Sequence, residues 1–289
     1  PVSVSLYDLI PLLNPGQYLT PNPRYAAYYE DKIASLRQAQ WLLAISEYSR
    51  QEGLEALNTS AGRIVNVGTA IGAEFQPLSL APGASTALLS RLGLTRPFVL
   101  YTGGADERKN LPRLIEAWSA LPTPLRHNHQ LLFAGRMTEF NIAEFLRIAR
   151  QHGLQPDELL FSGYVSDEEL VQLYNLCKLY VFPSWHEGFG LPALEAMACG
   201  APVIGANTTS LPEVIGMAEA LFNPYSVEDI RDKMQQALTV EVFRENLCKN
   251  GLQQLQKFSW DKVALRAIAA WESVESRKKE RSAPWRTAQ

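Results

Sequence analysis

A chain of 289 residues that is 46% hydrophobic has apolar material for two ordinary domains, and it reads as a soluble globular protein. A formal net charge of −3 and a pI near 5.9 remove the global basic field that would argue for nucleic acid as a partner. No apolar run is long enough to span a bilayer and no signal peptide is read ahead of the fold, so the expected compartment is the cytoplasm, with membrane contact at most peripheral. Cys177, Cys199 and Cys248 are odd in number, lack metal spacing and sit in apolar helical contexts, which predicts reduced, buried, structural thiols.

In chain order, residues 2–7 (VSVSLY) read as a strand with no helix before it. Because the chain opens at Pro1, it is expected to enter partway through a domain. The turn-rich segment 14–23 leads to a helix over 25–39 and a strand over 41–45, after which Ser46 is a credible N-cap. Residues 76–95, rich in Pro, Gly, Ser and Ala, are the natural linker, which divides the chain into 1–75, the linker, 96–258 and a closing segment 259–289. From Pro97 the pattern is regular. Apolar runs at 98–101, 130–134, 159–162, 179–182 and 202–205 alternate with helical segments, and a sixth short strand is read at 220–222. Leu111, Leu114, Ile115 and Trp118 share one helical face, and further helices are expected over 226–238, 240–258 and 260–275. The basic tail 277–286 is a solvated end or an attraction for anionic lipid. The fold class is therefore α/β, with a doubly wound parallel sheet in the second half.

Two loops carry chemistry. After the strand at 98–101 comes TGGADERKNL, where Gly103 and Gly104 permit a tight turn at the ligand-binding edge of an open sheet. Arg108 and Lys109 follow, just before a helix that Asn110 would cap. Two cations at the positive end of a helix make better sense with a phosphate bound, although a solvated loop explains them too. The second loop is PSWHEGFGLPALEAMACGAPVIG, 183–205. Pro183 takes the chain out of the sheet, Gly188 and Gly190 allow backbone to approach a ligand, Pro192 suits a first helical turn and Gly200 ends the helix. Glu187 falls in the loop and Glu195 in the helix's first turns. Both would suit sugar hydroxyls, or simply favour the helix dipole. His186 could touch substrate or shape the loop. His127 and His129 form an H-x-H, read as a surface loop rather than a metal site.

The string from Pro183 to Gly205 resembles the E-x7-E motif of retaining glycosyltransferases of the GT-B fold, family 4, with Glu187 and Glu195 as its two acids. Residues 7–11 (YDLIP) resemble the family's HDLIP segment, with Tyr7 where histidine is common. Residues 63–75 (RIVNVGTAIGAEF) resemble its RIxVVPNGVDxxF segment, with Thr69, Ala70 and Gly72 replacing three of its residues. Lys109 matches the lysine of the family's GRxxxxKG segment by spacing from Gly103, Gly104 stands in the arginine's place, and Arg108 lies beside the lysine instead. The RKNL form resembles bacterial surface-polysaccharide mannosyltransferases.

The resemblance implies two Rossmann-like domains facing across a cleft, the first incomplete, with the last helix crossing back to it. It implies a nucleoside diphosphate sugar as donor, GDP-mannose favoured and a UDP-sugar possible, no metal or other cofactor, and a glycan or lipid-linked acceptor. Arg108 and Lys109 would hold the diphosphate, Glu187 the hexose and Glu195 the ribose. Gly163, Tyr164 and Val165 match the loop that contacts the nucleobase, although Tyr164 also reads as loop packing. Ser184, His186, Gly188, Phe189, Gly190 and Leu191 complete the donor site. Ser46, where the family often has a cleft-facing serine, is equally well explained as a cap. The expected function is retaining transfer of a hexose in surface-polysaccharide synthesis. A sugar-nucleotide epimerase or a non-catalytic nucleotide-sugar-binding module are the rivals, the latter favoured if the early opening of the chain leaves the acceptor side incomplete.

Overall fold

The computed structural model describes residues 2–79, 83 and 85–282, and these divide into two compact units, 1–70 with 258–289 and 71–257. In the first, β1 (Ser3–Leu6) leads through the short helices α1 (Ile10–Leu13) and α2 (Pro15–Tyr18) to α3 (Pro23–Gln38). β2 (Trp41–Ala44), α4 (Glu47–Leu57) and β3 (Ile64–Asn66) follow, and the three strands pair in parallel in the order β1-β2-β3. The segment read as turns, 14–23, thus holds α2, with Pro15 in its first turn, where a missing N–H costs nothing. Ser46 does cap α4, its hydroxyl accepting from Ser49 N at 2.8 Å.

The second unit opens after Ala70. Within the stretch read as a linker the structure has a helix, α5 (Thr86–Arg91), and Leu88, Leu92 and Leu94 are buried, so the segment from there on is packed. Residues 80–82 and 84 lie outside the described residues. The chain continues with β4 (Phe98–Thr102), α6 (Leu111–Ser119), α7 (Thr123–His127), β5 (Gln130–Ala134), α8 (Glu139–Gln151), β6 (Leu159–Gly163) and α9 (Asp167–Leu176). After these come β7 (Leu179–Phe182), α10 (Leu191–Ala198), β8 (Val203–Ala206), α11 (Leu211–Ile215), β9 (Leu221–Phe222), α12 (Val227–Thr239) and α13 (Glu241–Leu255).

The six strands are parallel, in the order β6-β5-β4-β7-β8-β9. β4, β5, β7 and β8 are buried along their whole length because helices cover both faces of the sheet, which is why they read as unbroken apolar runs rather than alternating ones. The α6 face behaves as its spacing predicts: Leu111, Leu114, Ile115 and Trp118 are all buried, and α6 packs on α8 and α12.

The closing helix α14 (Trp260–Ser282) belongs to the first unit. Its Ala267 and Ala270 pack with Leu43 and Val67, while Leu42 joins Leu6, Leu9, Ile33 and Ile64 on the other side. Successive residues of β2 point to opposite faces, so Leu42 and Leu43 serve two separate clusters. Trp271 Nε1 donates to Ser3 Oγ at 3.2 Å, and Arg266 Nη1 to the Val67 carbonyl at 3.3 Å. Of the predicted tail, 277–282 continues α14 and 283–286 lies outside the described residues. Among the described residues no helix is long and apolar enough to cross a membrane.

Candidate active site

β4 is flanked by β5 on one side and β7 on the other, and the chain winds first one way, to β6, then the other, to β9. The loops leaving the C-terminal ends of β4 and β7 therefore diverge, and this switch point is where open α/β sheets leave a crevice for ligands. These are the two loops singled out by sequence. Backbone and guanidinium hydrogen bonds lace them together. Trp185 N donates to the Arg108 carbonyl at 3.0 Å, and Arg108 Nη1 to the His186 carbonyl at 2.8 Å.

Asn110 has a different role from the one expected. It sits at φ 61, in the left-handed region asparagine tolerates, and its side chain makes no cap bond to α6. Instead Nδ2 donates to the carbonyls of Pro183 (3.1 Å) and Pro224 (2.7 Å), and Oδ1 accepts from Arg113 Nη1 at 2.6 Å. The capping duty falls one turn earlier, where Asp106 Oδ1 accepts from Arg108 N at 3.1 Å and starts the 3-10 turn Glu107–Lys109.

That turn aims both cations at one carboxylate. Arg108 Nη1 lies 2.7 Å from Glu187 Oε2, and Lys109 Nζ 2.6 Å from Glu187 Oε1. The Glu187 side chain is only 10% exposed, so the attraction is weakly screened and each oxygen has its own cation. Lys109 Nζ also lies 5.3 Å from the centre of the Phe182 ring. Arg108 Nε also lies 3.6 Å from Asp106 Oδ1, so the two cations face two carboxylates and are already gathered where a phosphate could recruit them. Glu187 is fixed from behind: its N–H donates to Thr209 Oγ1 at 3.2 Å, and the buried Ser210 Oγ lies 2.9 Å from the Glu187 carbonyl and 2.7 Å from that of Phe189. Sequence reading missed Thr209 and Ser210. The turn-forming NTTSLP after β8, at the same edge of the sheet, was the available signal.

Glu195 lies apart from the cations, in a nest of hydroxyls. Tyr174 Oη donates to Glu195 Oε2 at 3.0 Å and lies 2.9 Å from Thr102 Oγ1, which in turn lies 3.0 Å from Tyr180 Oη. Burial pushes the Glu195 carboxyl above its usual range; the Tyr174 hydrogen bond opposes this and the Glu74 and Asp167 charges add to it. Burial likewise holds the Tyr174 and Tyr180 phenols well above theirs. None of the three hydroxyl partners was singled out by sequence, because each is an ordinary core residue until the strands are paired.

The remaining expected residues line the strand ends and the start of α10. Gly190 precedes α10 at φ 106, and a Cβ there would come 2.6 Å from Leu211 Cδ2. Pro192 has no N–H, and the first donors back to the Gly190 carbonyl are Ala193 (3.0 Å) and Leu194 (3.4 Å), so the 190 and 191 amides precede the helix's own hydrogen bonding. Gly188 and Phe189 are buried and Leu191 is exposed. Ser184 is fully buried with no hydrogen-bond partner for its Oγ among the described residues. Gly103 (φ 138) ends β4 under the Tyr101 ring, whose Oη donates to the Gly104 carbonyl at 2.8 Å. Gly104 has open space beside it. Gly163 (φ 64) bridges to Gly135 at the ends of β6 and β5, and the backbone of Gly135 packs on that of Gly103. Tyr164 is exposed, with the Arg136 guanidinium 4.7 Å over its ring, and Val165 is half-buried.

Two peripheral expectations change. His127 ends helix α7 and is exposed, as a surface position should be, whereas His129 is buried with Nδ1 2.9 Å from the Leu125 carbonyl, so only the first half of the H-x-H lies at the surface. Among the described residues no group of His, Cys, Asp and Glu is gathered as for a metal. Cys177 and Cys199 are buried, while Cys248 is half-buried, and burial raises all three thiols, Cys199 to about 12.

Paired cations at a sheet switch point, a carboxylate between them and a glycine-flanked helix start can bind a phosphorylated ligand and accept hydroxyl hydrogen bonds. Comparison with known proteins gives relatives, fold and family. The chain is 42% identical over 262 residues to the serotype-specific mannosyltransferase WbdA of Escherichia coli, an alignment covering 91% of this chain and 32% of that one. It is 35% identical over 254 residues to the E. coli O-antigen chain mannosyltransferase B, covering 86% of this chain and 65% of that one. The chain thus spans about a third of the first relative's length. Its fold superposes on Anabaena HepE, solved with UDP and glucose, with a TM-score of 0.75 at 19% identity, covering 96% of this chain and 72% of that one. This is the GT-B α/β architecture with parallel sheets. The model of the glycosyl transferases group 1 family matches residues 90–254, the whole stretch that carries the two charged loops, and the chain belongs to that family.

Proposed function

We propose that this chain transfers a mannosyl group, with retention of configuration, from a nucleoside diphosphate sugar to a growing surface glycan. The observation that carries the reading is the convergence of Arg108 and Lys109 on Glu187 at the switch point of the sheet. The names of the two E. coli relatives support mannose and an O-antigen glycan. GDP-mannose is the favoured donor, the acceptor is a glycan carried on lipid, and the setting is the cytoplasmic side of the membrane, touched at most peripherally.

In this reading Arg108 and Lys109 draw in the diphosphate and stabilise the charge that develops on it as the glycosidic bond to the sugar breaks. Such donors are effective because they are in place before the charge appears. The amides at the start of α10 add their partial positive charge. Glu187 accepts from hexose hydroxyls and so fixes the sugar's orientation. Glu195 accepts from the ribose, and Gly163, Tyr164 and Val165 border the base. The protein's own cations supply the electrophilic charge, with no metal or other cofactor required.

The test is isothermal titration with GDP, UDP and GDP-mannose beside a transfer assay in chelator. Selective binding of a nucleoside diphosphate sugar and mannose transfer unaffected by chelator support the reading. Absence of binding by any of the three overturns it. Glu195→Ala should weaken nucleotide binding, and an unchanged affinity would remove the ribose role.

A further inference from the structure

Without ligand, the positive charge that should greet a diphosphate is already spoken for. Each Glu187 oxygen has one cation at 2.6–2.7 Å, and the three side chains are 10–20% exposed. A diphosphate and the Glu187 carboxylate are like charges seeking the same two donors. Both cannot hold them fully, because a buried cation shared between two anions forces those anions close together. The Glu187 main chain stays at the site, because its N–H and carbonyl are tied to Thr209 and Ser210. What can change is where its carboxylate finds donors.

We infer that Glu187 is an exchangeable internal counter-anion that favours the sugar-bearing donor over the bare nucleoside diphosphate product. The inference rests on the functional reading above. When the donor enters, Arg108 and Lys109 pass from Glu187 to the diphosphate, and the hexose hydroxyls replace them as donors to the carboxylate. Every charged group is then still paired. After transfer the hexose is gone, and the nucleoside diphosphate alone leaves the Glu187 carboxylate nearly buried without its hydroxyl donors. Re-forming the two ion pairs relieves that cost and weakens the hold on the product. The same carboxylate therefore helps the substrate and opposes the product, a difference in binding that speeds turnover where release is slow.

The inference predicts opposite signs for two ligands, which a merely structural role for Glu187 would not give. In Glu187→Gln the competing charge is gone and the amide remains as a weaker hydroxyl acceptor. GDP should bind about tenfold tighter than to the parent, in line with coupling measured for close charge pairs. GDP-mannose should bind no tighter, so that the parent's preference for donor over product shrinks or reverses. Titration calorimetry of GDP and GDP-mannose on the parent, Glu187→Gln and Glu187→Asp reads this directly. The shorter Asp carboxylate cannot reach both cations and should give an intermediate gain for GDP, which keeps the test open if the Gln variant does not fold. GDP binding to the folded variants that is equal to or weaker than the parent's overturns the inference. Arg108→Ala and Lys109→Ala run alongside. If these leave GDP affinity unchanged, the diphosphate site itself is misassigned. If they weaken it while Glu187→Gln fails to tighten it, the site stands and the exchange does not.

Discussion

Glu187 and Glu195 stand on either side of one helix start, eight positions apart in a single string, yet the fold gives them opposite electrical surroundings. Glu187 has a guanidinium and an ammonium at ion-pair distance. Glu195 has a phenol hydroxyl for a partner, the Glu74 and Asp167 charges acting on it, and a carboxyl raised by burial. The same residue type is thus ion-paired at one position and hydrogen-bonded to a neutral hydroxyl at the other. The difference comes from which strands end nearby: β4 delivers cations beside Glu187, while Tyr174 of α9 and Thr102 and Tyr180 of the paired strands deliver hydroxyls beside Glu195. Chemistry at a carboxylate is set by its neighbours rather than by its place in a motif.

The contrast breaks most sharply at the cations. Arg108→Ala or Lys109→Ala should each weaken GDP binding by roughly 1.5–3 kcal/mol, the range for hydrogen bonds to charged groups, and titration calorimetry measures it. If the same substitutions altered the environment of Glu195 as much as that of Glu187, the two surroundings would not be independent. Gly190→Ala strikes the junction between the glutamates, where φ is 106 and the Leu211 methyl would have to shift for a Cβ. A loss of about 1–3 kcal/mol in urea unfolding is expected from the strained backbone. A variant as stable as its parent would mean that the α10 entry is not held as described. Ser210→Ala removes the buried hydroxyl behind Glu187 and should cost about 1–2 kcal/mol of stability. Its signature should be weaker nucleotide-sugar binding with no change in the pH behaviour of Glu195.

The smallest effect sharpens the comparison from the other side. Because the Glu195 carboxyl is raised in the folded protein, the native state holds a proton that the unfolded chain has already released once pH passes the ordinary value of 4.5. Stability therefore falls as pH rises through the window between the unfolded and the raised folded value, and stays lower above it. Glu195→Gln removes that titration while its amide oxygen can still accept from Tyr174. Its melting temperature should exceed the parent's by a few degrees at about pH 8, and the gap should close as pH falls below the unfolded carboxyl's range. A gap independent of pH would assign the change to packing instead of ionisation.

Local pattern in the sequence determined a good deal of this protein. The buried runs of β4, β5, β7 and β8, the one-sided apolar face of α6 and the Pro192–Gly200 brackets of α10 are all short-range features, and a strand covered on both faces or a helix with one buried stripe writes its own period. The Gly-rich loops, with Arg108, Lys109, Glu187 and Glu195 in them, were legible for the same reason, since turns and helix starts have local chemistry. Tertiary structure decided what those groups meet. Asn110 looks like a cap and instead spans Pro183 and Pro224, which lie 73 and 114 residues away in the chain. Thr209, Ser210, Tyr174 and Tyr180 have no signal of their own, because a hydroxyl becomes part of a site only when strand order brings its loop to the same sheet edge. The pairing of both cations with Glu187 bridges about 78 residues, and it exists because β4 and β7 are neighbours in space with four α-helices and two strands between them in sequence. Periodicity reports what one element does with its own faces; which ends of which elements come together is settled by packing the whole sheet.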